Sequence, residues 1–450
     1  MGSCLKVKRV KPTIELTVDS LDHEARGVGR LDGKVVFVEG ALPHESVTAQ
    51  ILKSKTSYDT AKVVSVERDS WMRVAPRCQY FGVCGGCLMQ HLASDAQVAV
   101  KQRLLEDAFG HLAGIKPEQV LAPIHGPSWG YRYRARLTVR LVPQKGGILV
   151  GFHERRSSFV ADMTSCEVLP RAVSDLLSPL REMIGRMGSP TRFPQIELAV
   201  GDAVIALVLR HLDPLTELDK TILRAFAQSH GVQWWLQSKG PDTVCLLDEE
   251  GAVPLTYALP AFGISMPFRP TDFTQVNHQI NQILVSRALS LLGATEAEHV
   301  LDLFCGLGNF TLPLARGSQQ VLGVEGSQAL VDRAHAAASH NGVSNVAFQT
   351  SDLFTFTIDS YAVLMAALDG RIDRVLVDPP REGALAVCEA LSQLEGKNRP
   401  KRIVYVSCNP ATLARDAGVL EQHGGYRLKQ AGVVNMFPHT GHVESIAVFE

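Results

Sequence analysis

The chain has 450 residues, 46% of them hydrophobic and 20% charged, an ordinary globular composition that argues against a disordered or fibrous protein. At roughly 100–200 residues per domain that length has room for about three cores, and no apolar run approaches the roughly 18 residues of a membrane helix. The net charge of −1 hides an uneven distribution, because residues 101–160 carry +6 and residues 266–450 carry −4. A basic middle beside an acidic C-terminal part predicts a local polyanion-binding face.

In chain order, Met1 to Val10 is basic without an apolar h-region, and Lys6 stands where a myristoylation signal needs Ser or Thr. No secretory signal is expected, the location is read as cytoplasmic, and nothing points beyond a monomer. From Thr13 to Val66 short strands (Ile14–Val18, Lys34–Val38, Ser46–Ile51 and Ala61–Val66) alternate with turns such as Leu31-Asp32-Gly33-Lys34. About five short strands in about sixty residues fit a small closed barrel of OB type. Lys53, Lys55 and Lys62 lie on or near its later strands.

Residues 75–265 read as a second, α/β domain, with a helix near Asp95–Leu112 and another at Glu217–His230. That second helix separates strand-like runs at Phe193–Leu209 and Gln233–Leu247. At the domain's head stands Cys78-x5-Cys84-x2-Cys87, followed later by Cys166. Nine cysteines without a secretory signal favour metal or catalytic roles over disulfides. Four thiolates with this spacing suit a Cys4 zinc site or an iron–sulfur cluster, and spacing alone does not separate the two. Cys4, Cys245, Cys305 and Cys388 are assigned to packing or surface. Tyr131 to Arg140 reads as one strand whose alternation puts Arg132, Arg134, Arg136 and Arg140 on one face. With no acid in that strand, and with Arg155 and Arg156 nearby, the face is read as an RNA-backbone contact.

From Met266 onward, strands at His299–Phe304, Gln320–Val324, Arg374–Val377 and Lys401–Val406 alternate with helical segments at Gln275–Leu292 and Ser327–Asn341. That rhythm predicts a parallel, doubly wound, Rossmann-like sheet over 266–450. Cys305-Gly306-Leu307-Gly308 turns the first strand into a helix, and glycines there let backbone approach a ligand. Glu325 ends the next strand, Asp352 follows the third and Asp378 ends the fourth. Acids at successive strand ends, with no third glycine for a pyrophosphate, favour S-adenosylmethionine over NAD. The fifth strand delivers Cys408 to the same edge, one strand from Asp378-Pro379-Pro380-Arg381, and His442-Val443-Glu444 opens the last strand. A thiolate can add to an activated ring carbon, and a carboxylate can later remove a proton.

On Leu301–Thr311, Val377–Gly383, Ser407–Pro410 and Met436–Ser445 the sequence resembles the uracil-C5 RNA methyltransferase family. Over its whole length it is similar to the family's 23S ribosomal RNA branch. One departure is Asn435, where the family usually has Asp before Met-Phe-Pro. The resemblance implies an N-terminal TRAM barrel (10–69) that binds RNA, a central domain (75–265) with an iron–sulfur cluster, and a C-terminal methyltransferase domain (266–450). It implies Cys408 as nucleophile at uracil C6 and Glu444 as the base that removes the C5 proton. The implied contacts to S-adenosylmethionine are Gln275, Phe304, Asn309, Glu325, Asp352 and Asp378. Cys78, Cys84, Cys87 and Cys166 match the positions that would hold a [4Fe–4S] cluster. Arg381 is the candidate for lowering the thiol pKa. The implied substrate is one uridine of 23S ribosomal RNA, flipped out or unpaired, with transfer RNA as the runner-up. A radical enzyme is disfavoured, because its three-cysteine loop has C-x3-C-x2-C spacing and the first gap here is five. A non-enzymatic RNA-binding redox sensor would leave Cys408, Glu444 and the strand-end acids without a task.

Overall fold

A computed structural model describes residues 12–450; the expectations for residues 1–10, Cys4 included, lie outside the described residues. The described chain falls into two compact units. The first comprises residues up to 82 together with 87–104 and 439–441, and the second comprises 83–86, 105–438 and 442–450.

In the first unit, Thr13–Leu21, Arg26–Leu31, Lys34–Glu39, Ser46–Ser54 and Tyr58–Arg68 close into a five-stranded barrel. Alternation builds its core: Leu16, Val18, Val36, Val38, Val47, Ala49 and Ala61 point inward and are buried, while their neighbours face out. Closure requires glycine at two narrow points: a Cβ on Gly27 would lie 2.8 Å from Val18 Cγ1 and 2.9 Å from Ala41 Cβ, and one on Gly29 would run into the Thr17 carbonyl oxygen. The helix Ser94–Ala108 belongs to this unit through residue 104, and Ala96 and Val100 pack with Leu42, Met72, Met89 and Leu92 in a second small core.

In the second unit, a six-stranded sheet runs in the order Cys245–Leu246, Val232–Gln237, Ile205–Arg210, Gln195–Val200, Arg134–Val142, Gly147–Gly151. The run Phe193–Leu209 is therefore a hairpin, broken where Gly201 N–H bonds Val204 O at 2.9 Å. The run Gln233–Leu247 is broken by a turn at Pro241–Thr243. The helix Glu217–His230 starts at a Thr216/Asp219 capping box and stops at a left-handed Gly231.

The second sheet of this unit has eight strands in the order Val346–Thr350, Gln320–Glu325, His299–Leu303, Arg374–Val377, Arg402–Ser407, Glu444–Phe449, Leu428–Val434, Gln119–Val120. The first five are parallel and Glu444–Phe449 is antiparallel to both neighbours. His299–Leu303 and Glu444–Phe449 are buried at every position, as expected of strands covered on both faces. The sheet order reverses beside His299–Leu303, so the crevice for a ligand lies beyond the carboxyl ends of that strand and its neighbours. Among the described residues, no helix is long and apolar enough to cross a membrane.

Candidate active site

A cavity of about 590 Å³ opens at those carboxyl ends. Its wall includes Gln275, Phe304, Asn309, Glu325, Asp352 and Asp378, and also Cys408 and Glu444. All eight belong to the second unit.

Each is held by a local device. Phe304 opens the turn after the strand His299–Leu303 with φ +63°, the left-handed region that costs an ordinary side chain roughly 1–2 kcal/mol. The backbone turns left-handed again at Gly306, where φ is +55° and the position of an added Cβ has nothing within 4 Å. Glu325 pins this turn: Oε2 accepts Gly306 N–H at 3.1 Å, and Oε1 accepts Gly326 N–H at 2.9 Å and Ser327 N–H at 3.2 Å. Asp352 accepts Phe354 N–H and the Thr355 hydroxyl, both at 2.9 Å, and these bonds hold its carboxyl below the usual range. Asn309 is held in a closed network of hydrogen bonds. Its Oδ1 accepts from Tyr257 Oη and Asn281 Nδ2, both at 2.9 Å, and its Nδ2 donates to Asn281 Oδ1 at 3.0 Å. Gln275 lies in the loop before the helix His278–Leu292. It is not that helix's cap, because Asn277 Oδ1 takes the Ile280 N–H at 3.2 Å.

Asp378 is half-buried on the cavity wall, and loss of solvent pushes its carboxyl up to about 7. Deeper in the first strand, Asp302 is pushed up to about 8 by burial and by the negative fields of Asp378 and Glu325, against a 2.5 Å bond from the Thr311 hydroxyl. Cys408 follows the strand Arg402–Ser407 and precedes the helix Pro410–Gln422, which Asn409 caps through Ala411 N–H at 3.1 Å.

The profile for tRNA (Uracil-5-)-methyltransferase matches residues 252–450, and that for the TRAM domain matches residues 8–64. A Bordetella bronchiseptica protein named 23S rRNA (uracil(1939)-C(5))-methyltransferase RlmD is 62% identical over 436 residues, covering 97% of this chain and 92% of its own length. A protein of the same name from Cupriavidus necator is 61% identical, over 97% of this chain and 100% of its own.

The chain belongs to the RNA uracil-C5 methyltransferase family.

It is an enzyme of the methyl-transfer class. The crystal structure of Pyrococcus abyssi tRNA (uracil-54, C5)-methyltransferase in complex with S-adenosyl-L-homocysteine has the same fold, with a TM-score of 0.72 at 22% identity over 97% of this chain and 100% of that one.

Two sequence expectations for this methyltransferase change in the structure. Arg381 does not make Cys408 acidic. Burial first, then the charges of Glu444 and Asp378, push the thiol up to about 11, and Arg381 only partly opposes them. The arginine face is largely engaged within the protein. Arg134 donates to the backbone carbonyls of Asp272 and, at 3.0 Å, Pro270, while Arg136 pairs with Glu197 at 2.8 Å. Arg132 donates to Arg134 O at 3.1 Å, and Arg140 stays exposed.

Among the described residues, no three His, Cys, Asp or Glu side chains converge closely enough to hold a metal ion. Cys78 and Cys87 fall in the first unit, and Cys84 and Cys166 in the second. Around Cys84 the loop is tightly held: Gly85 N–H bonds His153 O at 2.9 Å, and Gly86 N–H points at Cys84 Sγ at 3.4 Å. Cys305 and Cys388 are buried and Cys245 is exposed.

Tyr257, Phe273, Phe354, Phe437 and His442 also line the cavity. Tyr257 carries no local signal, because its partner Asn309 lies 52 residues further along the chain. Phe273 and Phe354, 72% and 55% exposed, could have been suspected as large apolar residues beside Gln275 and Asp352.

Proposed function

We propose that this enzyme transfers a methyl group from S-adenosylmethionine to C5 of a uridine in 23S ribosomal RNA, through a covalent bond between Cys408 and uracil C6. One observation carries the reading: a single cavity is lined at once by a cysteine, a buried glutamate and the strand-end acids. The names of the relatives with 61–62% identity supply the RNA class.

The residues present fit the methyl donor. It is a cation bearing an adenosyl group; Asp352 supplies negative charge, Asp378 with its carboxyl near 7 ionises readily beside a cation, and the open backbone at Gly306 leaves room for close approach. Gln275, Phe304, Asn309, Glu325, Asp352 and Asp378 would hold it, and it supplies an electrophilic methyl group. The rest is the work of this chain. Uracil C5 is a poor nucleophile, and sulfur addition at C6 turns it into an enolate carbon. Cys408 provides that sulfur, and its own proton must first leave to solvent. After C5 is alkylated, Glu444 takes the C5 proton, the C5–C6 double bond re-forms and Cys408 is expelled.

In the same reading residues 10–69 bind RNA, residues 75–265 carry a [4Fe–4S] cluster and residues 266–450 carry methyl transfer. Cys78, Cys84, Cys87 and Cys166 would hold the cluster. The pair Gly85-Gly86 and the N–H directed at Cys84 suit a loop wrapped around thiolates. Methyl transfer needs no electron from it, so its role is structural or RNA-positioning. The location is read as cytoplasmic and the protein as a monomer.

The test uses protein purified without air, S-adenosylmethionine and a 23S RNA fragment carrying 5-fluorouridine. Fluorine cannot leave as a proton, so a protein–RNA adduct should survive denaturing electrophoresis and vanish in Cys408→Ala. Iron and sulfide assays on the same preparation should give four of each per chain. Competition with unlabelled transfer RNA separates the runner-up substrate. Absence of adduct on every uridine-containing ribosomal or transfer RNA would sink the assignment.

A further inference from the structure

The proposed chemistry leaves one charge without a partner. When sulfur bonds to C6, the C5=C6 pair shifts toward C4 and the C4 carbonyl pair moves onto its oxygen. Charge therefore collects on O4, where a preorganised donor has most effect.

His442 stands on the cavity wall with Cys408, Glu444 and Arg381, two residues before Glu444. Arg381 Nη2 lies 3.3 Å from His442 Nδ1. A guanidinium has donors only and stays charged. The nitrogen facing it must therefore be the imidazole's lone-pair nitrogen, and a ring turned over would offer it a carbon instead. Nδ1 being the acceptor, the proton of the neutral ring sits on Nε2. The imidazole and Phe437 rings form a T-shaped pair at a centroid distance of 5.6 Å and an angle of 63°, a second contact that limits rotation of the imidazole. Arg381 is itself braced: its carbonyl accepts from Asn409 Nδ2 at 3.0 Å and from the Thr412 hydroxyl at 3.3 Å. The residue after the nucleophile thus helps to hold the cation that sets the histidine's tautomer.

We propose that His442, its tautomer fixed by Arg381, donates its Nε2–H to O4 of the target uracil and stabilises the enolate formed when Cys408 adds to C6. This rests on the covalent reading above. No proton is transferred to O4. The sulfur lone pair forms the S–C6 bond, the thiol proton has already gone to solvent, and the charge returns from O4 to form the C5–methyl bond. His442 is then a catalytic residue and Arg381 a positioning residue. An incoming base desolvates the exposed imidazole, which strengthens the bond at the moment charge develops.

The experiment measures single-turnover adduct formation on 5-fluorouridine RNA, a step that does not need Glu444. His442→Leu should slow it by roughly 10²–10³-fold, the usual loss for one such donor, with S-adenosylhomocysteine affinity unchanged by calorimetry. His442→Gln keeps a donor near the Nε2 position and should retain the rate within about tenfold. His442→Glu matches glutamine in size but offers only acceptors, and should behave like leucine. A leucine variant within threefold of wild type overturns the proposal. So does a glutamine variant as slow as the glutamate one, and this pair decides should the leucine variant fail to fold. Failure of the wild type to form any adduct strikes the covalent reading instead, and the two failures are therefore distinguishable.

Discussion

The two sheets of the second unit use charge in opposite ways. Around the six-stranded sheet, arginines meet carboxylates at the surface: Arg192 with Asp213 at 2.7 Å, Arg224 with Asp248 at 2.8 Å and Arg136 with Glu197 at 2.8 Å. Those pairs hold Asp213 and Asp248 below the usual carboxylate range, through charged hydrogen bonds first. At the carboxyl edge of the eight-stranded sheet loss of solvent dominates at Asp302 and Asp378, while Asp352 stays exposed and hydrogen-bonded. Asp378 rises to about 7 and Asp302 to about 8, and the Cys408 thiol beside them rises to about 11. Equal numbers of charges would not distinguish the two regions. What distinguishes them is that one neutralises its acids within the fold, while the other keeps its acids for a cation that arrives from outside.

The largest effect expected on that contrast comes from Glu444, a carboxylate buried at the start of its strand. Glu444→Gln removes the base and leaves the nucleophile. Turnover on ordinary uridine RNA should fall by roughly 10²–10⁴-fold, while covalent RNA–protein adduct accumulates on denaturing gels. Loss of turnover without adduct would show that Glu444 is needed before the base is engaged.

A thiol pushed up to about 11 is almost wholly protonated near neutrality. Its reactive fraction grows about tenfold per pH unit below that value, because the proton concentration falls tenfold with each unit. The kcat/KM for methyl transfer should therefore rise about 10²-fold between pH 7 and 9. A flat profile would mean that bound substrates bring the thiol down by themselves.

Local pattern made much of this edge legible in the sequence. A strand running into Cys305-Gly306-Leu307-Gly308, and acids recurring where strands end, need only neighbouring residues to be seen. The arginine strand misled for the opposite reason. The acid that pairs with Arg136 is 61 residues away, on the adjacent strand, and the carbonyls that bind Arg134 are more than 130 residues away. The thiol was misjudged because its pKa depends on burial, which no spacing reveals; Arg381 was correctly near and still outweighed. Cavity residues such as Tyr257 were invisible because topology alone brings them to Asn309.

Asp302 tests the energetic side of the contrast. Its folded carboxyl titrates near 8 and its unfolded one near the ordinary 3.8. Between those values the folded chain holds more protons than the unfolded chain, so stability falls as pH rises through that window. The loss should be on the order of a few kcal/mol. Asp302→Asn keeps an acceptor for the Thr311 hydroxyl and never ionises, so urea unfolding at pH 5 and pH 8 should show a smaller difference than in the wild type. An unchanged difference would assign the pH dependence to other groups.

The smallest effect is expected where charges are already matched. Arg224 and Asp248 are each close to half exposed and joined by three short contacts. Water screens such a pair and two side chains must be ordered to form it, which leaves only weak coupling. A double-mutant cycle on Arg224→Ala and Asp248→Ala should show a weak coupling that shrinks in high salt and leaves methyl transfer untouched. A strong coupling that salt does not weaken, or a change in rate, would mean that the six-stranded sheet's surface charges communicate with the site. The separation between a sheet that neutralises its charge and one that holds charge for a ligand would then fail.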